Sequence, residues 1–239
     1  PLPEGVAYNS YLIVDEKTAL LDTVKITKVN GFIENLKKNL NGRDLDYLVI
    51  HHMEPDHSGC YLSVLDIYPN LTFVGNKKAR AMFKDYLDME PENFIEVKEG
   101  DTLSLGKRTL TFVNTPMVHW PESMVSYETT DKILFSQDIF GGFGALNGTI
   151  FDDEMNFDFF RDEIRRYYSN IVGKYSKQAA KALQKVKTLE INVICPVHGI
   201  VWRSHPNMII DEYIRLANQI NEEGVVIAYG SMYGNTEKM

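Results

Sequence analysis

A chain of 239 residues, 44% hydrophobic and 24% charged, is sized for one large globular domain or two small ones. It has no apolar run of about eighteen residues, so no membrane-spanning helix is expected, and its net charge of −8 argues against a surface built for nucleic acid. Pro1-Leu2-Pro3-Glu4-Gly5 lacks an initiator Met and the features of a signal peptide, and reads as a cut edge. Cys60 and Cys195 lie far apart and outside any Cys-x-x-Cys pair, so two buried free thiols in a reducing, cytoplasmic setting are expected.

Tyr11–Val14 and Ala19–Asp22 flank Asp15-Glu16-Lys17 and predict a hairpin. Residues 29–40 place Phe32, Ile33, Leu36 and Leu40 on one helical stripe. Residues 46–50 form a buried strand, and Ser58-Gly59 opens a helix that runs through Ile67. A strand at 71–74 and a helix at 77–87 follow. Short strands come next at 94–97, 102–105 and 109–113, then a hairpin of 124–128 with 132–136 around Thr129-Thr130-Asp131. Residues 156–171 and 176–189 are helical, 192–195 a strand and 206–220 a long helix. This order suits two mixed sheets packed face to face with helices outside, an α/β sandwich of four layers.

The chemistry-bearing segment is His51-His52-Met53-Glu54-Pro55-Asp56-His57-Ser58-Gly59. It follows the apolar run Tyr47-Leu48-Val49-Ile50, and strand ends are where α/β proteins place their sites. His52, Glu54, Asp56 and His57 are four good metal ligands within six residues. His119, Asp138 and His198 also fall in loops just after predicted strands. A single His near a strand end is more often an ordinary hydrogen-bonded residue. Four of the six histidines at strand ends beside carboxylates instead suggest a metal centre, with two metals. Strand alternation turns His51 away from His52, which makes it structural or supporting. His205 reads as a helix-entry residue.

The pattern His-x-Glu-x-Asp-His, 61 residues, His, 18 residues, Asp, 59 residues, His is similar to that of the flavodiiron proteins. Further stretches share the resemblance: Tyr8-Asn9-Ser10-Tyr11-Leu12, His119-Trp120-Pro121, Ser136-Gln137-Asp138-Ile139-Phe140-Gly141, Tyr167-Tyr168-Ser169-Asn170-Ile171 and Cys195-Pro196-Val197-His198-Gly199. The resemblance implies a metallo-β-lactamase-like αββα fold holding two iron ions. One iron would take His52, Glu54 and His119, and the other Asp56, His57 and His198, with Asp138 bridging. Family members differ in whether the residue equivalent to His57 reaches the metal. Zinc hydrolases of this fold usually carry His where this chain has Glu54, and a carboxylate there suits iron better than zinc. Tyr167, Tyr168, Trp120 and Phe140 are candidates to line the pocket.

After Glu222-Glu223-Gly224, the apolar run Val225–Tyr229 predicts a new strand leading into Ser231-Met232-Tyr233-Gly234-Asn235-Thr236. The resemblance makes this the start of a flavodoxin-like domain, with that loop wrapping the FMN phosphate. The expected division is residues 1–222 for the metal domain and 223–239 for the linker and first part of the flavin domain. By itself the chain is expected to hold metals and not FMN. The implied activity is reduction of nitric oxide to nitrous oxide, or of dioxygen to water. Electrons would come through FMN from rubredoxin or a similar donor, in a head-to-tail homodimer. The alternative is a zinc-dependent hydrolase of the same fold, and a gas or redox sensor is a more distant one.

Overall fold

A computed structural model describes residues 2–220 and 222–239. Its first sheet runs β1 (Tyr11–Val14), β2 (Thr18–Leu21), β3 (Tyr47–Val49), β4 (Thr72–Gly75) and β5 (Phe94–Glu96) in spatial order. The β1–β2 pair is an antiparallel hairpin, and the remaining pairs are parallel. The second sheet is assembled from β6 (Thr102–Ser104), β7 (Thr109–Asn114), β8 (Met124–Glu128), β9 (Ile133–Gln137) and β10 (Val193–Pro196), in the order β10-β9-β8-β7-β6. Only β9–β10 is parallel there.

Side-chain alternation along the strands explains why the sheets need cover on both faces. Register aligns Leu20, Leu48 and Phe73 in one row and Leu21, Val49 and Val74 in the next. The first row packs outward under α1 (Val29–Leu40), α3 (Tyr61–Ile67) and α4 (Lys77–Leu87), against Leu36, Leu40, Tyr61, Val64 and Phe83. The second row faces inward and meets Phe112, Met124, Phe135 and Cys195 of the other sheet. Val125, Leu134 and Ile194 point the opposite way, under α5 (Phe157–Tyr167), α6 (Ser176–Val186) and α7 (Pro206–Ala217). The result is the expected helix–sheet–sheet–helix stack. Each side chain fully buried in it, such as Leu48, contributes roughly 1.5–3 kcal/mol.

Element ends shift where local chemistry decides. The helix expected from Ser58 starts earlier, as a short turn α2 (Pro55–Ser58) with Pro55 at its first position, and α3 follows after a break at Gly59-Cys60. The aromatic-rich helix ends at Tyr167, where a wider π-helical turn covers Tyr168–Val172. The long final helix stops at Ala217, beyond which Gln219 takes a left-handed φ of 55°. Cys60 and Cys195 are buried free thiols, as expected. No helix among the described residues is long and apolar enough to cross a membrane.

The strand expected at 225–229 is not formed. Val225, Val226, Ile227 and Tyr229 are 88, 96, 79 and 54% exposed, and no described strand pairs with them. A strand needs a neighbour for its backbone groups and a surface for its apolar face. The loop 231–236 is likewise mostly exposed and holds only the start of a short turn, Thr236–Lys238.

Strand direction gathers the loops that matter. β2, β3 and β4 run parallel, and β7, β9 and β10 share one direction in the second sheet. Their C-terminal ends carry Asp22, His51–His57, Asn76, Thr115–His119, Asp138 and His198 to one rim of the sandwich.

Candidate metal centre

The loop after β3 is fixed before any of its ligand-type residues is considered. Asp22, at the end of β2 with φ of 53°, accepts from the backbone N–H and ring Nδ1–H of His51, both at 2.8 Å. His51 Nε2 meets Ser126 Oγ of the second sheet at 2.8 Å, so this buried ring ties the two sheets together. That matches the supporting role read from alternation. Ser58 Oγ donates to the Met53 carbonyl at 2.9 Å, and Thr23 donates to the His57 carbonyl through both its N–H and its hydroxyl. The short turn α2 therefore holds Asp56 and His57 in place.

All seven predicted residues come together. His52, Glu54 and His119 each offer an atom within 4.8 Å of one another, and so do Asp56, His57 and His198. Glu54 Oε2 lies 3.2 Å from His52 Nε2 and 3.0 Å from His119 Nε2. Asp56 places its oxygens 3.5 Å from His57 Nε2 and 3.4 Å from His198 Nε2. Asp138 lies between the groups. Its Oδ2 is 3.4 Å from the Nε2 of His52 and His119, and its Oδ1 is 3.8 and 3.6 Å from the Nε2 of His57 and His198. One carboxylate thus turns an oxygen toward each group.

The interior side is dry and the other side is open. Asp138 is 2% exposed at its side chain, against 13% for His119, 25% for Asp56 and 36% for Glu54. Entry to the centre is therefore past Glu54 and Asp56.

The donor set fits two cations. His198 donates Nδ1–H to the Ala7 carbonyl at 2.8 Å, and His52 Nδ1 meets the Glu122 carboxylate at 2.8 Å. Nε2 is therefore the nitrogen that each ring turns inward, among the carboxylate oxygens. His57 Nε2 and His198 Nε2 sit 3.0 Å apart, and buried Asp56 Oδ1 has no hydrogen-bond partner among the described residues. So many converging acceptors require positive charge between them. Two divalent cations against three carboxylates come near neutrality.

Protonation expresses the same crowding. Burial alone would push His52 down, but hydrogen bonds to Glu122 and Glu54 carry it up to about 10. Burial works to raise Glu54, and the bonds from His119 and His52 override it and hold the carboxyl well below its usual range. Asp138 is likewise lowered against its burial by the surrounding imidazoles, His52 first. His57 falls to about 4 because it is buried and faces His198.

The pocket candidates divide. Tyr167 is buried and donates its hydroxyl to Asp138 Oδ1 at 2.6 Å. Trp120 stands edge-on to His52, with ring centroids 5.0 Å apart. Tyr168 and Phe140 do not face the centre: Tyr168 bonds Ser176 Oγ at 3.0 Å, and both rings pack on Tyr213 in the helical core. Tyr168 is turned away because consecutive residues on a helix do not share a face, and Tyr167 takes the side toward Asp138.

Sequence reading missed several residues that hold the centre. Glu122 is fully buried and accepts from His52 and from the Met53 N–H at 2.9 Å. Asn76 caps α4 with its side-chain oxygen while its amide donates to the Glu122 carbonyl at 2.6 Å. Gln137, with φ of 57°, donates to Asp138 Oδ2, and Tyr8 lies edge-on to His198 at 5.6 Å. Glu122 and Asn76 belong to no quoted motif, whereas Tyr8 and Gln137 lie within stretches that carry the resemblance but were given no role. The only cue for Glu122 was a carboxylate two residues beyond Trp120 in a loop already carrying His119.

Comparison with known proteins gives this geometry a context. A family model described as "ODP family beta lactamase" matches residues 6–199. An uncharacterized protein of Methanocaldococcus jannaschii is 40% identical over 99% of this chain and 60% of its own length. A nitric oxide reductase of Moorella thermoacetica is 39% identical over 98% of this chain and 59% of its own. The solved rubredoxin oxygen:oxidoreductase of Desulfovibrio gigas superposes with a TM-score of 0.94 at 35% identity, covering 99% of this chain and 60% of that one. The chain thus spans about 60% of the length of these relatives.

Proposed function

The chain belongs to the ODP family of β-lactamase-like proteins, and from that premise we propose that it is the metal-bearing part of a flavodiiron reductase. Its reaction is reduction of nitric oxide to nitrous oxide, or of dioxygen to water. Among its relatives are a nitric oxide reductase and a rubredoxin oxygen:oxidoreductase, which favours this class. The observation that carries the reading is Glu54, a carboxylate shared between His52 and His119 at 3.2 and 3.0 Å. Hard oxygen donors suit iron over zinc and count against the hydrolase reading.

In this reading His52, Glu54 and His119 would hold one iron and Asp56, His57 and His198 the other, with Asp138 available to both. The iron pair would supply electrons and open coordination positions to a small gas molecule. The chain's own side chains orient and insulate. Glu122 and the Ala7 carbonyl fix which nitrogen of His52 and of His198 faces inward. Tyr167 steadies the bridging carboxylate. Burial and then the Asp138 charge raise its phenol well above the usual value, so it keeps its proton and acts as a donor of a hydrogen bond. Trp120 packs edge-on against the His52 ring.

Residues 1–222 would be the metal domain, and residues 223–239 the linker and first part of a flavodoxin-like domain. Its loop at Ser231, Met232, Tyr233, Gly234, Asn235 and Thr236 would cradle the FMN phosphate. The exposed run Val225–Tyr229 supports this, because it is the kind of segment that pairs once neighbouring strands are present. Electrons would pass from rubredoxin or a similar donor through FMN, in a head-to-tail homodimer in the cytoplasm.

The test is anaerobic turnover of the full-length protein with NO and O2 in parallel, alongside metal analysis. About two irons per chain with consumption of either gas is expected. Zinc occupancy with ester hydrolysis and no reductase turnover would overturn the proposal.

A further inference from the structure

We infer that buried Glu122 makes the His52–Glu54–His119 position the tighter of the two metal positions, the one that fills first. The inference rests on the metal-centre reading above and concerns a difference within it.

The two groups are matched in their inner donors. Each has two imidazoles and one carboxylate of its own, and each faces one oxygen of Asp138. Their inner composition therefore gives no reason for unequal affinity. The difference lies one layer out. His52 turns Nδ1 to the Glu122 carboxylate at 2.8 Å, whereas His198 turns Nδ1 to the neutral Ala7 carbonyl at the same distance. His57 Nδ1 is buried and has no hydrogen-bond partner among the described residues. A carboxylate accepting the outer N–H makes an imidazole a stronger donor than a carbonyl does, and more so than no partner.

Glu122 is also held firmly enough to act in this way. It has no exposed surface, its Oε1 accepts from the Met53 N–H at 2.9 Å, and its main-chain carbonyl is gripped by Asn76 at 2.6 Å. Its Oε2 is buried without a partner among the described residues, so His52 is the one side chain bonded to this carboxylate among them, beside the Met53 N–H. Glu122 is thus a positioning residue that acts through His52.

The experiment starts from full-length protein stripped by chelation. Fe(II) is titrated anaerobically against a competing chelator, and Zn(II) is titrated separately while histidine imidazole ¹⁵N resonances are followed. The expected result is two dissociation constants at least about tenfold apart. The first equivalent of Zn(II) should shift His52 and His119, and the second His57 and His198. In Glu122→Gln the tighter constant should weaken about 10–100-fold while the weaker one moves less than about threefold. A purely structural role would weaken both together. If Glu122→Gln does not fold, the order of imidazole shifts in the unaltered protein decides alone. Equal constants, the reverse order, or parallel weakening of both positions overturns this inference and leaves the metal centre standing. Failure to bind either metal overturns both.

Discussion

Tyr167→Phe removes one oxygen from the interior and leaves the ring, so it isolates a single bond. The hydroxyl donates to Asp138 Oδ1 at 2.6 Å, and both residues are buried. The ring is held independently, edge-on to Phe143 with centroids 5.0 Å apart and against Gly141, where an added Cβ would meet it at 3.0 Å. A hydrogen bond to a charged, buried group contributes about 1.5–3 kcal/mol. For a domain of this size that corresponds to a melting-point drop of roughly 4–8 °C for about 2 kcal/mol. The assay is thermal unfolding of metal-free protein near neutral pH, repeated with iron bound. The metal-loaded deficit should be smaller, because cations then offset the Asp138 charge.

The same substitution has a pH signature. Asp138 is held below the usual carboxylate range despite its burial, chiefly by the charge of His52. A depressed carboxylate contributes stability above its unfolded value of 3.8 and loses it as pH falls through the lower folded value. The bond from Tyr167 belongs to the ionised form, so the deficit of Tyr167→Phe should shrink as pH drops below about 4. A deficit under about 0.5 kcal/mol at neutral pH, or one that is flat across the acid range, would refute the charged-acceptor argument.

Other substitutions probe separate layers. Glu54→His replaces the shared carboxylate by imidazole, and metal analysis of the purified variant should show zinc displacing iron; unchanged iron content would remove Glu54 as the basis for metal choice. Gly59→Ala would place a Cβ 2.6 Å from the Pro55 carbonyl oxygen and 2.8 Å from the Ile26 nitrogen, both backbone. It should cost about 1–3 kcal/mol in denaturant unfolding, and a neutral result would mean α2 can shift freely. Glu212 is lowered to about 2, first by its bonds from Arg215 and then, against burial, by Arg165. Its contribution is present above the ordinary value of 4.5 and fades between there and about 2. Glu212→Gln should therefore destabilise by about 1 kcal/mol at neutral pH after screening, and by nothing measurable near pH 2.

The clustering of the seven candidate ligands was legible because each residue stands out twice, by chemistry and by position. His52, His119, Asp138 and His198 lie in loops after short, largely apolar runs that fold as strands, and strands of shared direction bring such ends to one rim. The same alternation that separates Leu48 from Val49 separates His51 from His52. Glu122 and Asp22 were illegible for the complementary reason. Their importance comes from which atom lies 2.8 Å away, and that partner is 70 residues off for Glu122 and 29 for Asp22. A loop carboxylate after Pro121 has the sequence signature of a solvated charge, and only the fold shows that it has no exposed surface.

Val225–Tyr229 makes the converse point. The residues have strand chemistry and a strand was expected there, yet none forms. Propensity describes how well a side chain fits a pleated surface, and that surface is supplied by neighbours. β3 has only three residues but stays a strand because β2 and β4 complete its backbone bonds on both sides. The longer apolar run has no such neighbours and remains exposed. The two cases give a test of domain continuity. In a longer chain that supplies parallel partners, amide hydrogens of 225–229 should exchange slowly, whereas in the 239-residue chain they should exchange at the rate of open backbone. Fast exchange in both would mean that this segment is a linker and that the flavin-binding loop assigned to 231–236 has no strand to position it.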